Sequence, residues 1–404
     1  MDGYQLFEAI RVHNFLSYGS DTESTTLLPL NVLIGPNASG KSNLLEAFSI
    51  LQATATDLTG PLREGGGINE WIWKGGARDM VAQIEAIINY PDGIMPLRYH
   101  LNLASVGQRV ELIDEAVENV APNNPYDHDV YFFYRYQNGH PALNVRALGD
   151  QAGSGLNRTR RHLRREDLRP DQSVLSQRKD PDIYPEITYL AEQFSAITLF
   201  RDWSFGRDTD PRRPQPADLP ADFLLPNGRN LGLVLNNLQH RSETRDVIIR
   251  YFRKFYESAV DVSTKIYGGS VQVYVHELGL KEPVPATRLS DGTLRFLCLL
   301  SILCHPSPPP FIGIEEPELG LHPDILPVVA ELLLDASQRT QLVVTTHSDT
   351  LVTALSSVPE AILVCEPSPA GTRLRRLDPT QLALWLENYS LGELWRMGEI
   401  GGTR

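Results

Sequence analysis

Four short motifs in a fixed order constrain this chain more than any other feature. They are Gly35-Pro36-Asn37-Ala38-Ser39-Gly40-Lys41-Ser42, then Leu289-Ser290-Asp291-Gly292-Thr293, then Phe311-Ile312-Gly313-Ile314-Glu315-Glu316-Pro317, and last Thr345-Thr346-His347-Ser348. The first fits G-x-x-x-x-G-K-[ST] without a mismatch. It lies between an apolar run of strand length, Leu30–Ile34, and a stretch from Asn43 with Leu44, Leu45, Phe48 and Leu51 at helical spacing. A glycine-rich loop in that context turns its backbone N–H groups toward phosphate, and the helix N-terminus adds positive partial charge. Lys41 is then expected on the β- and γ-phosphates of a nucleoside triphosphate, and Ser42 on Mg²⁺.

The other motifs extend that chemistry. Strand Pro310–Ile314 ends in Glu315 and Glu316, and a buried parallel strand delivers such residues to the sheet edge where ligands bind. By position, Glu315 is expected on Mg²⁺ and Glu316 on the attacking water. His347 follows a second apolar strand, Gln341–Thr346, and is expected to sense the γ-phosphate. Ser290 can cap the helix that follows it, and Gly292 allows close approach of a ligand; a plain capped core helix is the alternative. Strands alternating with helices predict an α/β fold with a mainly parallel sheet covered on both faces.

The sequence resembles the ABC-type ATPases, whose signature motif is commonly written Leu-Ser-Gly-Gly, with Asp291 and Thr293 departing from that spelling. Within that superfamily it is similar to the compact RecF-like, OLD-like and SMC-related branch of predicted AAA-family ATPases. The opening Ala9–Tyr18 resembles that branch's first strand and turn, Glu316–Pro323 its acidic motif and the loop after it, and Tyr389–Trp395 with Gly398–Gly402 the tail of a compact group of predicted ATPases. His322 stands where transporter-type members usually have Asp. The resemblance implies an ABC-ATPase head that dimerises around ATP, with Ser290 and Gly292 on the γ-phosphate held by the other copy. Gly35, Pro36, Asn37, Ala38, Ser39, Gly40, Lys41, Ser42 and Asn43 would hold ATP in the same chain. Lys41, Glu316 and His347 would be catalytic, and Ser42 and Glu315 would hold Mg²⁺. Asn14 and Phe15 are candidates for the adenine, and Gln83 is either a Mg²⁺-sensing residue or a surface strand residue.

Positions 43–289 are too many for a transporter ATPase, and the prolines from Pro122 to Pro226 break any long coiled coil. Three parts are expected. Residues 1–149 form a first lobe with the phosphate loop and an antiparallel β-subdomain. Residues 150–270 form a mixed helical insertion, with helices near 185–195 and 231–258 and a mobile loop over 206–226. Residues 271–404 form a second lobe, with strands near 310–315, 341–346 and 361–365. Asn230 before 232–238 resembles a helix opening of the branch, or is simply a cap.

Three cysteines without metal-ligand spacing predict a reducing compartment, and with no basic-then-apolar start the expectation is a cytoplasmic protein without a membrane span. A net charge of −13 excludes non-specific coating of nucleic acid. The only strongly basic cluster, Arg158–Arg165, either contacts phosphates or is a solvated helix face paired with Glu166 and Asp167. DNA is therefore a candidate partner beside a second copy of the chain and a separately encoded effector such as a nuclease or toxin, in a DNA-repair or phage-defence setting. Positions 348–404 contain no Asp-x-Asp, so a nuclease site of the OLD type is not expected within the chain. An ATP-gated switch with negligible turnover is the alternative to an ATPase.

Overall fold

The computed structural model describes residues 1–76, 80–124, 126, 129–137, 140–146, 158–162 and 168–401. Its centre is a six-stranded sheet in the order Thr198–Phe200, Phe311–Glu315, Gln341–Thr345, Leu30–Ile34, Ile362–Ser368, Gly371–Arg376. The first five strands are parallel, and the last pairs antiparallel with its neighbour. Leu30–Ile34 and Gln341–Thr345 are buried along their whole length, which is why they read as mostly apolar runs rather than alternating ones. Helices Lys41–Thr54, Asp291–Leu303 and Leu326–Ala336 bury their apolar residues in the cores beside this sheet.

A second, eight-stranded sheet contains Thr25–Thr26, Phe7–His13, Ala82–Ile88, Leu97–Val106, Arg109–Asn119, Phe132–Gln137, His140–Arg146 and Arg158–His162 in that order, antiparallel throughout. Ala82–Ile88 alternates buried and half-buried along its seven residues, the period-2 signature of a strand with one face on a core. This is the antiparallel β-subdomain expected from the sequence. Its hairpin turn at Asn138 and Gly139 lies outside the described residues. A third, small sheet joins Gln215–Pro216, Ala259–Tyr267, Ser270–Glu277 and Val284–Pro285.

The helices expected in the middle of the chain are present as Pro185–Ser195, Leu231–Gln239 and Ser242–Phe255. Two features there differ from the sequence reading. Thr198–Phe200 is the edge strand of the central sheet, a short apolar run that spacing alone could not assign. The 206–226 segment, largely exposed, is anchored at points: Pro211, Arg212 and Gln215 are buried, and Gln215–Pro216 pairs with the third sheet. Part of the basic cluster, Arg158–His162, is a strand and not a helix face; Leu163–Arg165 lie outside the described residues.

Candidate functional site

Three parallel strands side by side bring the motifs to one edge. Glu315 pairs in register with Thr345, and Thr345 with Leu33, so the acidic strand, the histidine strand and the phosphate-loop strand end at one level. The residues after those ends are the phosphate loop, Glu316 and His347.

The phosphate loop is braced from outside. Tyr18 donates its O–H to Gly40 O at 3.1 Å. Thr372 Oγ1 donates to Ser39 O at 2.9 Å and stands 2.8 Å from Ser17 Oγ. Gly40 has φ 99°, and a Cβ there would collide with Thr372 Oγ1 and Ser17 Oγ; only glycine satisfies both conditions. Ala38 is also left-handed, at φ 61°. The helix starts at Lys41, so the N–H groups of its first turn have no partner within the helix and face the ligand position. Lys41 Nζ donates to Gly35 O and Pro36 O, both at 2.9 Å. Burial pulls its ammonium below the ordinary lysine value, while nearby Cys365, Glu316 and Glu315 act the other way. The side chain is thus held over the loop on carbonyl oxygens that a phosphate can replace.

Ser42 Oγ donates to Glu315 Oε1, joining the two oxygens expected on a metal across the sheet edge. Glu315 is held in turn by Arg201, whose Nε lies 3.5 Å from Oε2 while its Nη2 donates to Glu46 Oε1 at 2.7 Å. Mg²⁺ is usually held by one or two protein oxygens together with nucleotide phosphates and waters. The Ser42–Glu315 pair fits that ion, and among the described residues no denser cluster of His, Cys, Asp or Glu is present.

Glu316 is left-handed, at φ 46°, a conformation costly for a side chain with a Cβ. Its N–H donates to Thr345 O at 3.0 Å, and its carbonyl accepts from Arg295 Nη1 at 3.1 Å. These bonds hold the strain and turn the carboxylate toward His347, whose Nε2 is 3.5 Å from Oε1. Two residues on, Glu318 Oε1 accepts from Thr346 Oγ1 at 2.6 Å and from the His347 N–H at 2.8 Å.

Ser290 caps the helix Asp291–Leu303 by accepting from the Thr293 N–H at 3.0 Å. Gly292 packs on the loop after Glu316, where a Cβ would lie 2.7 Å from Gly320 O. Ser290 and Gly292 are thereby tied to Thr293 and to the Gly320 turn. Arg212 holds the loop before them: it donates to Leu289 O and Phe205 O and pairs with Asp291. Arg295 lies over the rings of Trp203 and Phe205, 5.2 and 5.3 Å from their centroids.

Sequence spacing missed Arg201, Arg212, Glu318, Tyr18 and Thr372. Arg201 had a signal: it ends an apolar run at the sheet edge, as Glu315 does. Phe15 does not serve as an adenine platform as placed, because its ring is fully buried against Trp71 at 5.6 Å. Asn14 is also buried, with Nδ2 donating to Val81 O at 3.3 Å. Gln83 pairs with His13 and Asn102 inside the antiparallel sheet. His322 is exposed and caps the turn Pro323–Ile325. No helix among the described residues is long and apolar enough to cross a membrane.

Residues 30–353 match the family model described as "AAA domain, putative AbiEii toxin, Type IV TA system". No curated protein matches the sequence. Among solved structures, the chain is similar to an Smc head bound to the C-terminal winged-helix domain of ScpA, at 14% identity and TM-score 0.57, over 94% of this chain and 100% of that one. It is equally similar to an Smc head domain with an extended coiled coil bound to the C-terminal domain of ScpA, derived from Pyrococcus furiosus, at 13% identity and TM-score 0.57, over 95% and 98%. At those identities the likeness speaks for the fold. The family match covers the phosphate loop, the signature, the acidic pair and the histidine alike, and the chain belongs to this family of AAA-domain ATPases, with the fold of an Smc head.

Proposed function

We propose that the chain binds ATP with Mg²⁺ on the phosphate loop, hydrolyses it, and completes each site with the signature motif of a second copy. The observation that carries this reading is the meeting of Lys41, the Ser42–Glu315 pair and the Glu316–His347 pair at one sheet edge. Gly35–Gly40, with the first turn Lys41–Asn43, would cradle the phosphates; Ser42 and Glu315 would hold Mg²⁺. That ion supplies charge neutralisation on the β- and γ-oxygens. Glu316 accepts a hydrogen bond from the attacking water and aims it at the γ-phosphorus. The new P–O bond forms as the bond to the β,γ-bridging oxygen breaks, ADP leaves with that oxygen, and the water proton passes to solvent through Glu316 or the released phosphate. Lys41 and His347 stabilise charge on the γ-oxygens, so catalysis is positional and electrostatic.

The second copy is proposed on Ser290 and Gly292, which pack on Thr293 and Gly320 at a helix N-terminus that would meet the γ-phosphate held by the other copy. Glu316→Gln tests both parts. It should abolish phosphate release and trap an ATP-bound dimer, read by light scattering, with Lys41→Ala as the non-binding control. Normal hydrolysis by Glu316→Gln would overturn the mechanism, and a trapped monomer would overturn the shared site.

The family description names a Type IV toxin–antitoxin system, which favours a role in which nucleotide state governs a separately encoded partner, in the manner of a defence switch. Hydrolysis measured with and without double-stranded DNA separates this from a DNA-sensing role. Stimulation by DNA would favour repair-type function, and turnover indifferent to DNA would favour a protein partner. We place the working site in the cytoplasm, with the two lobes 1–149 and 271–404 flanking the 150–270 insertion.

A further inference from the structure

We infer that Glu318 is the positioning residue that sets His347 against Glu316. This rests on the hydrolytic reading above and adds a residue to it. The carboxylate of Glu318 engages the histidine segment. Its Oε1 accepts two hydrogen bonds from the histidine segment, one from Thr346 Oγ1 at 2.6 Å and one from the His347 backbone N–H at 2.8 Å. Thr346 is fully buried, and its N–H donates to Leu33 O at 3.1 Å, so the same residue is anchored to the phosphate-loop strand. Its hydroxyl also accepts from the Ser348 N–H at 3.0 Å. The His347 backbone therefore has its place fixed from both sides, and its ring reaches Glu316 Oε1 at 3.5 Å.

A closed circuit results. Glu316 and Glu318 are two residues apart on one loop, Thr346 and His347 are adjacent on another, and bonds run between the loops at backbone and at side chain. The first loop is stiffened by Leu319 N–H on Glu316 O at 3.2 Å and Leu321 N–H on Glu318 O at 3.0 Å. Arg295 holds the Glu316 carbonyl from the signature helix. Any displacement of the histidine loop must break the bonds to Glu318 first. A charged acceptor suits the task, since bonds to a carboxylate are roughly twice as strong as neutral ones. Its other oxygen, Oε2, is buried without a hydrogen-bond partner among the described residues. A buried polar atom left unpaired is a cost, tolerated here for the clamp that Oε1 makes.

The test is a double-mutant cycle between Glu318→Ala and His347→Ala, read as kcat, KM and the affinity for a fluorescent ATP analogue, with Glu318→Gln as the conservative variant. Glu318→Ala is expected to lower kcat by on the order of a hundredfold, the scale of an ångström's misplacement at a reacting centre, with analogue affinity within about twofold of native. Added to His347→Ala, it should cost nothing further, because it acts through that residue. Glu318→Gln, whose carbonyl oxygen can accept both bonds, should restore most of the loss; melting curves confirm that each variant is folded. Additive losses in the cycle, native kcat in Glu318→Ala, or no recovery in Glu318→Gln would each overturn the inference while leaving hydrolysis itself standing. Absence of Lys41-dependent hydrolysis in the native chain would instead overturn the parent reading.

Discussion

Glu115 is a fully buried carboxyl whose ionisation the fold resists, and replacing it should stabilise the protein at neutral and alkaline pH but not in acid. It sits on strand Arg109–Asn119 and accepts from Tyr99 Oη at 2.7 Å, from Ser173 Oγ, and from the Val174 N–H at 3.0 Å. No cation is among those partners. Burial raises its pKa from the ordinary 4.5 to about 7, against the pull of the three donors, with Asp114 adding to the rise. The fold thus prefers the protonated form. Its contribution is fully present below about pH 4.5 and is lost as pH rises through about 7. Displacing the group that far is worth roughly 3 kcal/mol between the two protonation states. Glu115→Gln keeps the shape and a carbonyl for the Val174 N–H, while the two hydroxyls can rotate to accept from the amide. At pH 8.5 the variant should be more stable than native by about 2–3 kcal/mol, and at pH 4.5 nearly equal. Urea unfolding at both pH values measures this. A difference that is the same at both, or a native chain more stable at pH 8.5, would refute the reasoning.

Three further outcomes are expected. Glu316→Gly relieves the φ of 46° and should gain about 1 kcal/mol in urea unfolding while abolishing hydrolysis; a loss of stability would show that the conformation is not strained. Gly40→Ala imposes a Cβ on a φ of 99° and on Thr372 and Ser17, and should cost about 2 kcal/mol of stability together with ATP binding, read by melting and by analogue titration. Arg201→Ala removes the group that orients Glu315, so the Mg²⁺ concentration for half-maximal hydrolysis should rise roughly tenfold or more; an unchanged midpoint would leave Arg201 as a surface ion pair with Glu46.

The parts of the fold legible in the sequence were those with a local cause. Leu30–Ile34 and Gln341–Thr345 announced themselves because strands buried on both faces are mostly apolar without alternation. Ala82–Ile88 did so because a one-sided strand alternates. The order of the strands was a different matter. That Gln341–Thr345 inserts between Phe311–Glu315 and Leu30–Ile34 depends on crossovers tens to hundreds of residues long, to which spacing is blind. Thr198–Phe200 is three residues, too few for any period to show. The motif chemistry was legible for the opposite reason: the phosphate loop, the acidic pair and the histidine each follow a strand of one parallel sheet, and a common edge follows once those strands are parallel.

What the sequence hid was the reach of the segment after that edge strand. Rich in Pro, Asp and Arg, residues 206–226 have the composition of a solvated loop, and composition says nothing about partners far along the chain. Arg201 meets Glu315, 114 positions away; Trp203 and Phe205 flank Arg295; Arg212 meets Leu289 and Asp291, 77 and 79 positions away. The stretch 201–212 therefore touches Glu315, the arginine that holds the Glu316 carbonyl, and the Leu289 carbonyl. Each contact is an arginine on a backbone carbonyl or carboxylate, or a ring beneath a guanidinium, and any such residue on a surface has the same appearance in sequence. Burial is the discriminating quantity: the Arg212 side chain is 9% exposed, whereas that of Arg213 beside it is 56% exposed and pairs with nearby Asp208. A guanidinium is taken out of water at a cost that only several well-placed acceptors offset, so the buried arginine of an otherwise solvated loop marks where the loop is held.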